Sequence, residues 1–140
     1  MNKRKKINIV TGVIGSDAHI IGNRILQIAL TDAGYNVVSL GILVSQEEFI
    51  AAAVETNASA ILVSSLYGMG EIDCQGLREK CIESGLNNIT LYVGGHLGLG
   101  KKNWSDLEEI MLKHGFDRAF PPDTMPDDVI KSLDKDLLAQ

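Results

Sequence analysis

The sequence predicts an α/β fold built on a doubly wound parallel sheet, and three observations carry that prediction. Apolar, β-branched runs alternate with helical patterns from one end of the chain to the other. No long hairpin interrupts the alternation, so successive strands are joined through helices and run parallel. The central run, Ala60-Ile61-Leu62-Val63-Ser64, is apolar on both faces, as a strand covered by helices on both sides must be.

The elements follow in order. The first strand, over 7–14, ends in a turn at Gly15-Ser16-Asp17. A helix over about 20–33 carries Ile21, Ile25, Ile28 and Ala29 at helical spacing, the face expected to pack inward, and Gly34 stops it. A second strand at 37–40 precedes a helix over about 46–55, with Ser45 as N-cap and Glu48 three residues on, the spacing of a capping box. The third strand, 60–64, precedes a helix over about 74–83 that Ser84-Gly85 terminates. A fourth strand at 89–93 runs into Gly94-Gly95, and a helix over about 105–114 follows. A short fifth strand at 118–120 is stopped by Pro121-Pro122, and Pro126 opens a last helix with Val129, Ile130, Leu133 and Leu137 on its apolar face. Right-handed crossovers give five such units the flavodoxin-like order 2-1-3-4-5.

Composition bounds the function. The 140 residues suit one domain over 1–140 and leave no room for a barrel of roughly 250 residues beside it. Eighteen acidic against thirteen basic side chains give a net charge of −5, which argues against a nucleic-acid partner. The one basic run, Lys3-Arg4-Lys5-Lys6, reads as a solvated lead-in to the first strand, and the apolar stretch behind it is too short for a signal peptide. No stretch approaches the ~18 apolar residues of a membrane span. Cys74 and Cys81, seven apart on one expected helix, lie roughly 10 Å apart, too far for a disulfide. Two thiols left reduced fit a cytoplasmic protein.

In this architecture ligands bind beyond the carboxyl ends of the strands, near the switch point between strands 1 and 3. The loops there hold residues 15–22, 64–70 and 94–100, all rich in glycine or small polar side chains. A glycine alone only makes a tight turn, but three such loops at one sheet edge allow close approach by something flat or phosphorylated. Gly12-x-x-Gly15 fails the dinucleotide fingerprint, and Gly95 to Lys101 reads as a phosphate loop but places Lys102 where Ser or Thr should reach magnesium. Ser64-Ser65 and a lone Asp17 lack the paired acids of a phospho-acceptor. Asp17-x-His19 fits a metal-ligating imidazole oriented by a carboxylate, with the remaining metal positions filled by a macrocycle.

The pattern resembles the cobalamin-binding domain of the B12-dependent mutases and methionine synthase. The three parts of its signature, D-x-H-x-x-G, S-x-L and G-G, stand here as Asp17-Ala18-His19-Ile20-Ile21-Gly22, Ser64-Ser65-Leu66 and Gly94-Gly95, separated by 41 and 27 residues. The chain is most similar to the small subunits of the glutamate mutases, on the stretches 12–17, 64–68, 70–74 and 115–118. One departure is Phe120 before Pro121-Pro122, where a tyrosine is expected; it puts one polar contact to the cofactor's tail in doubt.

The resemblance implies that His19 is the lower axial ligand of cobalt, that Asp17 tunes it, and that Ser16, Ala18 and Ile20 flank the corrin. By the same implication Gly22 lets the helix start pack on the nucleotide tail, which enters a slot between strands 1 and 3. Ser64 reaches a nitrogen of its base and Leu66 packs it, with Ser65 between them in the binding segment; Gly94 and Gly95 let the tail pass close to the backbone, and His96, Leu97, Gly98, Leu99 and Gly100 cover it. The implied cofactor is adenosylcobalamin. The implied reaction is the radical rearrangement of L-glutamate to 3-methylaspartate, carried out with a large barrel-type catalytic subunit in a heterotetramer of two small and two large chains. With Arg24 and Arg78 in helices and Arg118 in the last strand, the chain shows no arginine cluster for a dicarboxylate, so substrate binding falls to that partner. The alternative is a corrinoid carrier serving methyltransferases, but such carriers place a helical bundle ahead of this domain and here strand 1 begins by residue 7. His114 suits a helix C-terminus, Trp104 starts a helix, and Met69 either touches corrin or fills space.

Overall fold

The computed structural model describes residues 2–14, 21–65, 74–95, 103–121 and 123–138. Its strands are β1 (Asn8–Val13), β2 (Asn36–Ser39), β3 (Ala60–Ser65), β4 (Thr90–Gly95) and β5 (Arg118–Phe120), all parallel, in the order β2-β1-β3-β4-β5. The expected topology is the observed one. The helices among the described residues are α1 (Asn2–Lys5), α2 (Ile21–Asp32), α3 (Gln46–Thr56), α4 (Leu77–Glu83), α5 (Trp104–Lys113) and α6 (Pro126–Leu137).

Alternation along the strands divides the core into two layers. Ile9, Leu62 and Tyr92 point to one face, where Leu30 of α2 and Val129 and Leu133 of α6 cover them. Val10, Ile61, Val63, Leu91 and Val93 point to the other, against Phe49 and Ala53 of α3, Leu77 and Cys81 of α4 and Met111 of α5. Burying each large aliphatic side chain in these layers stabilises the fold by about 2 kcal/mol.

Local signals act where they stand. Ser45 Oγ accepts from the Glu48 amide at 3.1 Å and Glu48 Oε1 accepts from the Ser45 amide at 3.0 Å, the reciprocal capping box. Arg78 threads the lower end of the sheet: it donates to the carbonyls of Gly115 and Ile89, each at 2.8 Å, and to Asp117 at 2.9 Å. Asp117 also accepts from the Leu91 amide. The family-like stretch 115–118 is therefore an architectural joint.

Four expectations change. The inward face of α2 is Leu26, Ala29 and Leu30, while Ile25 and Ile28 are 52% and 56% exposed. Two neighbouring apolar stripes run along this helix, and periodicity alone does not say which one meets the sheet. Cys74 lies in a turn rather than on a helix, because α4 begins only after Gly76 turns left-handed at φ +84°. Both cysteines are buried and neither forms a disulfide. Gly94 and Gly95 belong to β4, paired with Ser64 and Ser65, rather than to the loop beyond it.

The basic run is the fourth. Residues 2–5 form α1, and Arg4 is a clamp, not a solvated lead-in. Its guanidinium donates to Asp134 of α6 at 3.1 Å through Nε and to the Ala33 carbonyl at 2.9 Å, and sits over the Tyr35 ring. The Tyr35 hydroxyl donates to the same carboxylate at 2.5 Å. Two residues on, Asp136 accepts from Arg118 at 2.8 and 2.9 Å and from the Tyr92 hydroxyl. Two Arg-Tyr-Asp sets thus hold the last turns of α6 to the rest of the fold.

Candidate functional site

The sheet register brings the three signature loops together. Val13 pairs with Ser64, Ser64 with Gly94 and Ser65 with Gly95, and the Ile14 amide donates to the Ser64 carbonyl at 3.0 Å. The chain therefore leaves β1, β3 and β4 at one level of the carboxyl edge, side by side. Ser16, Asp17, Ala18, His19, Ile20, Leu66 and residues 96–100 (His96, Leu97, Gly98, Leu99, Gly100) lie outside the described residues, as does Met69. Gly22 stands in the first turn of α2.

Beside these loop roots a cavity of about 450 Å³ opens between α2 and α6. Its floor is the carboxyl end of β3 and β4, including Leu62, Ser64, Tyr92, Gly94 and Gly95. Ile25 and Leu26 wall one side; Phe120, Pro121 and residues 123–126 wall the other. Among the described residues, the polar side chains lining it are few: Ser64, Asp123 and Thr124. Tyr92 adds only its ring, packed edge-on to Phe120 with centroids 5.4 Å apart, because its hydroxyl is spent on Asp136. Burial, reinforced by that carboxylate, holds the Tyr92 phenol far above its usual range, so it stays protonated. Such a slot suits a flat, largely apolar group carrying few hydrogen-bonding atoms.

The cavity lies over β3, β4 and β5 rather than between β1 and β3. The reason is coverage: α2 packs on β1 and β2, which leaves the uncovered strip of sheet further across, towards α6. Phe120 is in contact with it, so the residue that departs from the expected tyrosine is part of the wall. Phe120 carries a sequence signal through its departure from tyrosine, whereas residues 123–126 carry none, because they lie beyond the ends of strands 1, 3 and 4. The Pro121-Pro122 stop at the end of β5 was the signal that this loop faces the same edge.

The glycines in β4 differ in kind. Gly95 has φ +104°, a conformation that side-chain-bearing residues adopt only with strain. A Cβ at Gly94 would meet Phe120 at 3.6 Å, an ordinary contact, so the protein itself tolerates one there. Gly94 borders the cavity, so what a side chain would take up is space for a ligand.

A sheet of this order, with three glycine- and serine-bearing loops and an apolar slot at one edge, defines a class. Residues 7–104 match the family model described as the B12 binding domain, and the chain belongs to that family. Within it the chain stands with the glutamate mutase sigma subunits. It is 59% identical over 133 residues to the glutamate mutase sigma subunit of Carboxydothermus hydrogenoformans, covering 95% of this chain and 97% of that one. The sigma subunit of Clostridium tetanomorphum is 57% identical over 129 residues, with 92% and 94% covered. Among solved structures, a cobalamin-binding protein from Desulfitobacterium hafniense superposes with a TM-score of 0.76 at 23% identity, covering 96% of this chain and 60% of that one, a likeness of fold.

Proposed function

We propose that this chain is the cobalamin-binding small subunit of an adenosylcobalamin-dependent glutamate mutase and holds the cofactor by its lower side. The observation that carries the reading is the apolar cavity at the carboxyl edge, beside the roots of the three loops that bear the signature. A benzimidazole base is flat and apolar, and the slot offers it aliphatic and aromatic walls with Ser64 at the floor.

In this reading His19 is the axial cobalt ligand and Asp17 accepts from the far side of its imidazole, fixing the tautomer and raising the basicity of the ligating nitrogen. Ser16, Ala18 and Ile20 flank the corrin, and Gly22 lets the start of α2 pack on the tail. Ser64 and Leu66 hold the base, with Ser65, buried between them at the end of β3, fixing the backbone there. Gly94 and Gly95 let the tail pass close to β4, and residues 96–100 cover it. When bound, adenosylcobalamin supplies homolysis of its cobalt–carbon bond, the source of the radical that starts the rearrangement of L-glutamate to 3-methylaspartate. The substrate belongs to a large, barrel-type subunit that closes over the upper corrin face in a heterotetramer of two small and two large chains. The arginines of this chain agree: Arg78 and Arg118 are committed to protein acceptors, and Arg24 is exposed on α2. No described helix is long and apolar enough to cross a membrane, and the reading places the protein in the cytoplasm.

The test is spectroscopic. Adenosylcobalamin added to the chain, with and without the large subunit, should give the visible spectrum of a base-off, histidine-on complex, and His19→Ala or His19→Gly should abolish it. With the large subunit and L-glutamate present, 3-methylaspartate should form. Methyl transfer in place of that product would favour the corrinoid carrier, and no cobalamin binding in either setting would end the reading.

A further inference from the structure

The turn after β2 carries a feature that the cavity and the signature loops leave unused. Val13 of β1 is bonded on both sides to this turn: its amide donates to the Gly41 carbonyl at 2.8 Å, and its carbonyl accepts from the Val44 amide at 2.9 Å. Ile14 forms a bridge with Val44. Residues 42 and 43 are therefore pushed out of the ladder as a two-residue bulge at the carboxyl edge. Both are large aliphatics, and both are exposed, Ile42 by 37% and Leu43 by 54%.

Leu43 has φ +58°. The other described non-glycine residue in this region is Asn57, whose short amide suits the left-handed cap of α3. A leucine has no such compensation, and a bulge pinned at both ends does not adopt the strain by looseness. Backbone strain that presents an apolar side chain to solvent points to something that covers it.

What lies next to it decides the occupant. Ile14, bridged to the bulge, is the last described residue before the segment that carries His19. Five residues of chain span at most ~18 Å, so the backbone of residue 19 is tethered within that distance of Ile14. A corrin held by His19 would lie at this carboxyl edge, and the methyl groups of its rim would suit an apolar contact.

We propose that Ile42 and Leu43 form an apolar ledge on which the rim of the corrin rests, a contact made by the strand-2 turn in addition to the signature loops. The inference rests on the cobalamin reading above. Its test is a titration of the full chain with adenosylcobalamin followed by visible absorption, with and without the large subunit, alongside thermal unfolding without cofactor. Leu43→Gly relieves the strain, so its melting temperature should equal or exceed that of the unsubstituted chain. Its cobalamin affinity should nevertheless fall about fivefold, in keeping with losing part of one leucine's apolar burial. Leu43→Met should keep the affinity, and Ile42→Ser combined with Leu43→Gly should weaken it further. Unchanged affinity in Leu43→Gly overturns the ledge. So does unchanged affinity with weakened binding of the large subunit, which would assign the bulge to the protein partner. Should the unsubstituted chain bind no cobalamin in either setting, the cobalamin reading falls and takes the ledge with it.

Discussion

Gly94 and Gly95 show how adjacent identical residues serve different ends. Gly95→Ala forces a side chain into a left-handed backbone and should lower stability by about 1 kcal/mol or more, seen as a reduced denaturant midpoint. Gly94→Ala meets only ordinary contacts, so its midpoint should hardly move. Its cobalamin affinity should fall instead, because the added methyl borders the cavity. Thr11, in the middle of β1, is fully buried and its hydroxyl has no hydrogen-bond partner. An orphaned hydroxyl costs about 1–3 kcal/mol. Thr11→Val keeps the shape, removes that cost, and should raise the unfolding free energy by about 1 kcal/mol in a denaturant titration. The sequence marked Gly94-Gly95 as a pair but could not separate their roles. Backbone angle and neighbouring atoms depend on how β4 lies against β5.

Among the elements, α6 has the most to do. Its first half lines the cavity through Pro126 and Val129, and its last turns are fixed by Asp134 and Asp136. The hydrogen bond from Arg4 holds the Asp134 carboxyl below the usual range, and that from Arg118 does the same for Asp136. A carboxylate with a depressed pKa contributes stability that is fully present above its unfolded value, about 4, and that is lost as pH falls through the folded value. The melting temperature should therefore be flat near neutrality and drop as the pH falls below about 4. Asp134→Asn and Asp136→Asn should each lower it at pH 7 and reduce that acid-side drop. A melting curve series with the same acid dependence in both variants would show that the clamps are not its source. The helix itself was legible from Pro126 and its apolar face. Its clamps were not, since Arg4 and Asp134 are 130 residues apart and no local pattern links them.

At the scale of the molecule, the sheet collects at one edge what the chain scatters. Val13, Ser65 and Gly95 end neighbouring strands, and the loops that bear the signature leave from there together. The helices then set where the free volume is. With α2 over β1 and β2, and α6 tied to β5 through Arg118 and Asp136, the opening falls over β3–β5, and Phe120 and residues 123–126 become part of the wall. The cavity belongs to the spacing between two helices, a quantity that no single segment encodes.

The sequence by itself determined the strand order, the capped helices, the spacing of the signature and the family that spacing resembles. These rest on short-range chemistry: period-2 and period-3.6 patterns, caps, breakers, and the handedness of crossovers. Only the tertiary structure decided which apolar stripe of α2 faces inward, where the cavity opens, and that Arg4 is a clamp. It also decided that Leu43 stands strained and exposed beside β1. Each of these depends on the approach of groups distant in the chain, and a pattern of residue types records which surfaces can pack without recording which of them meet.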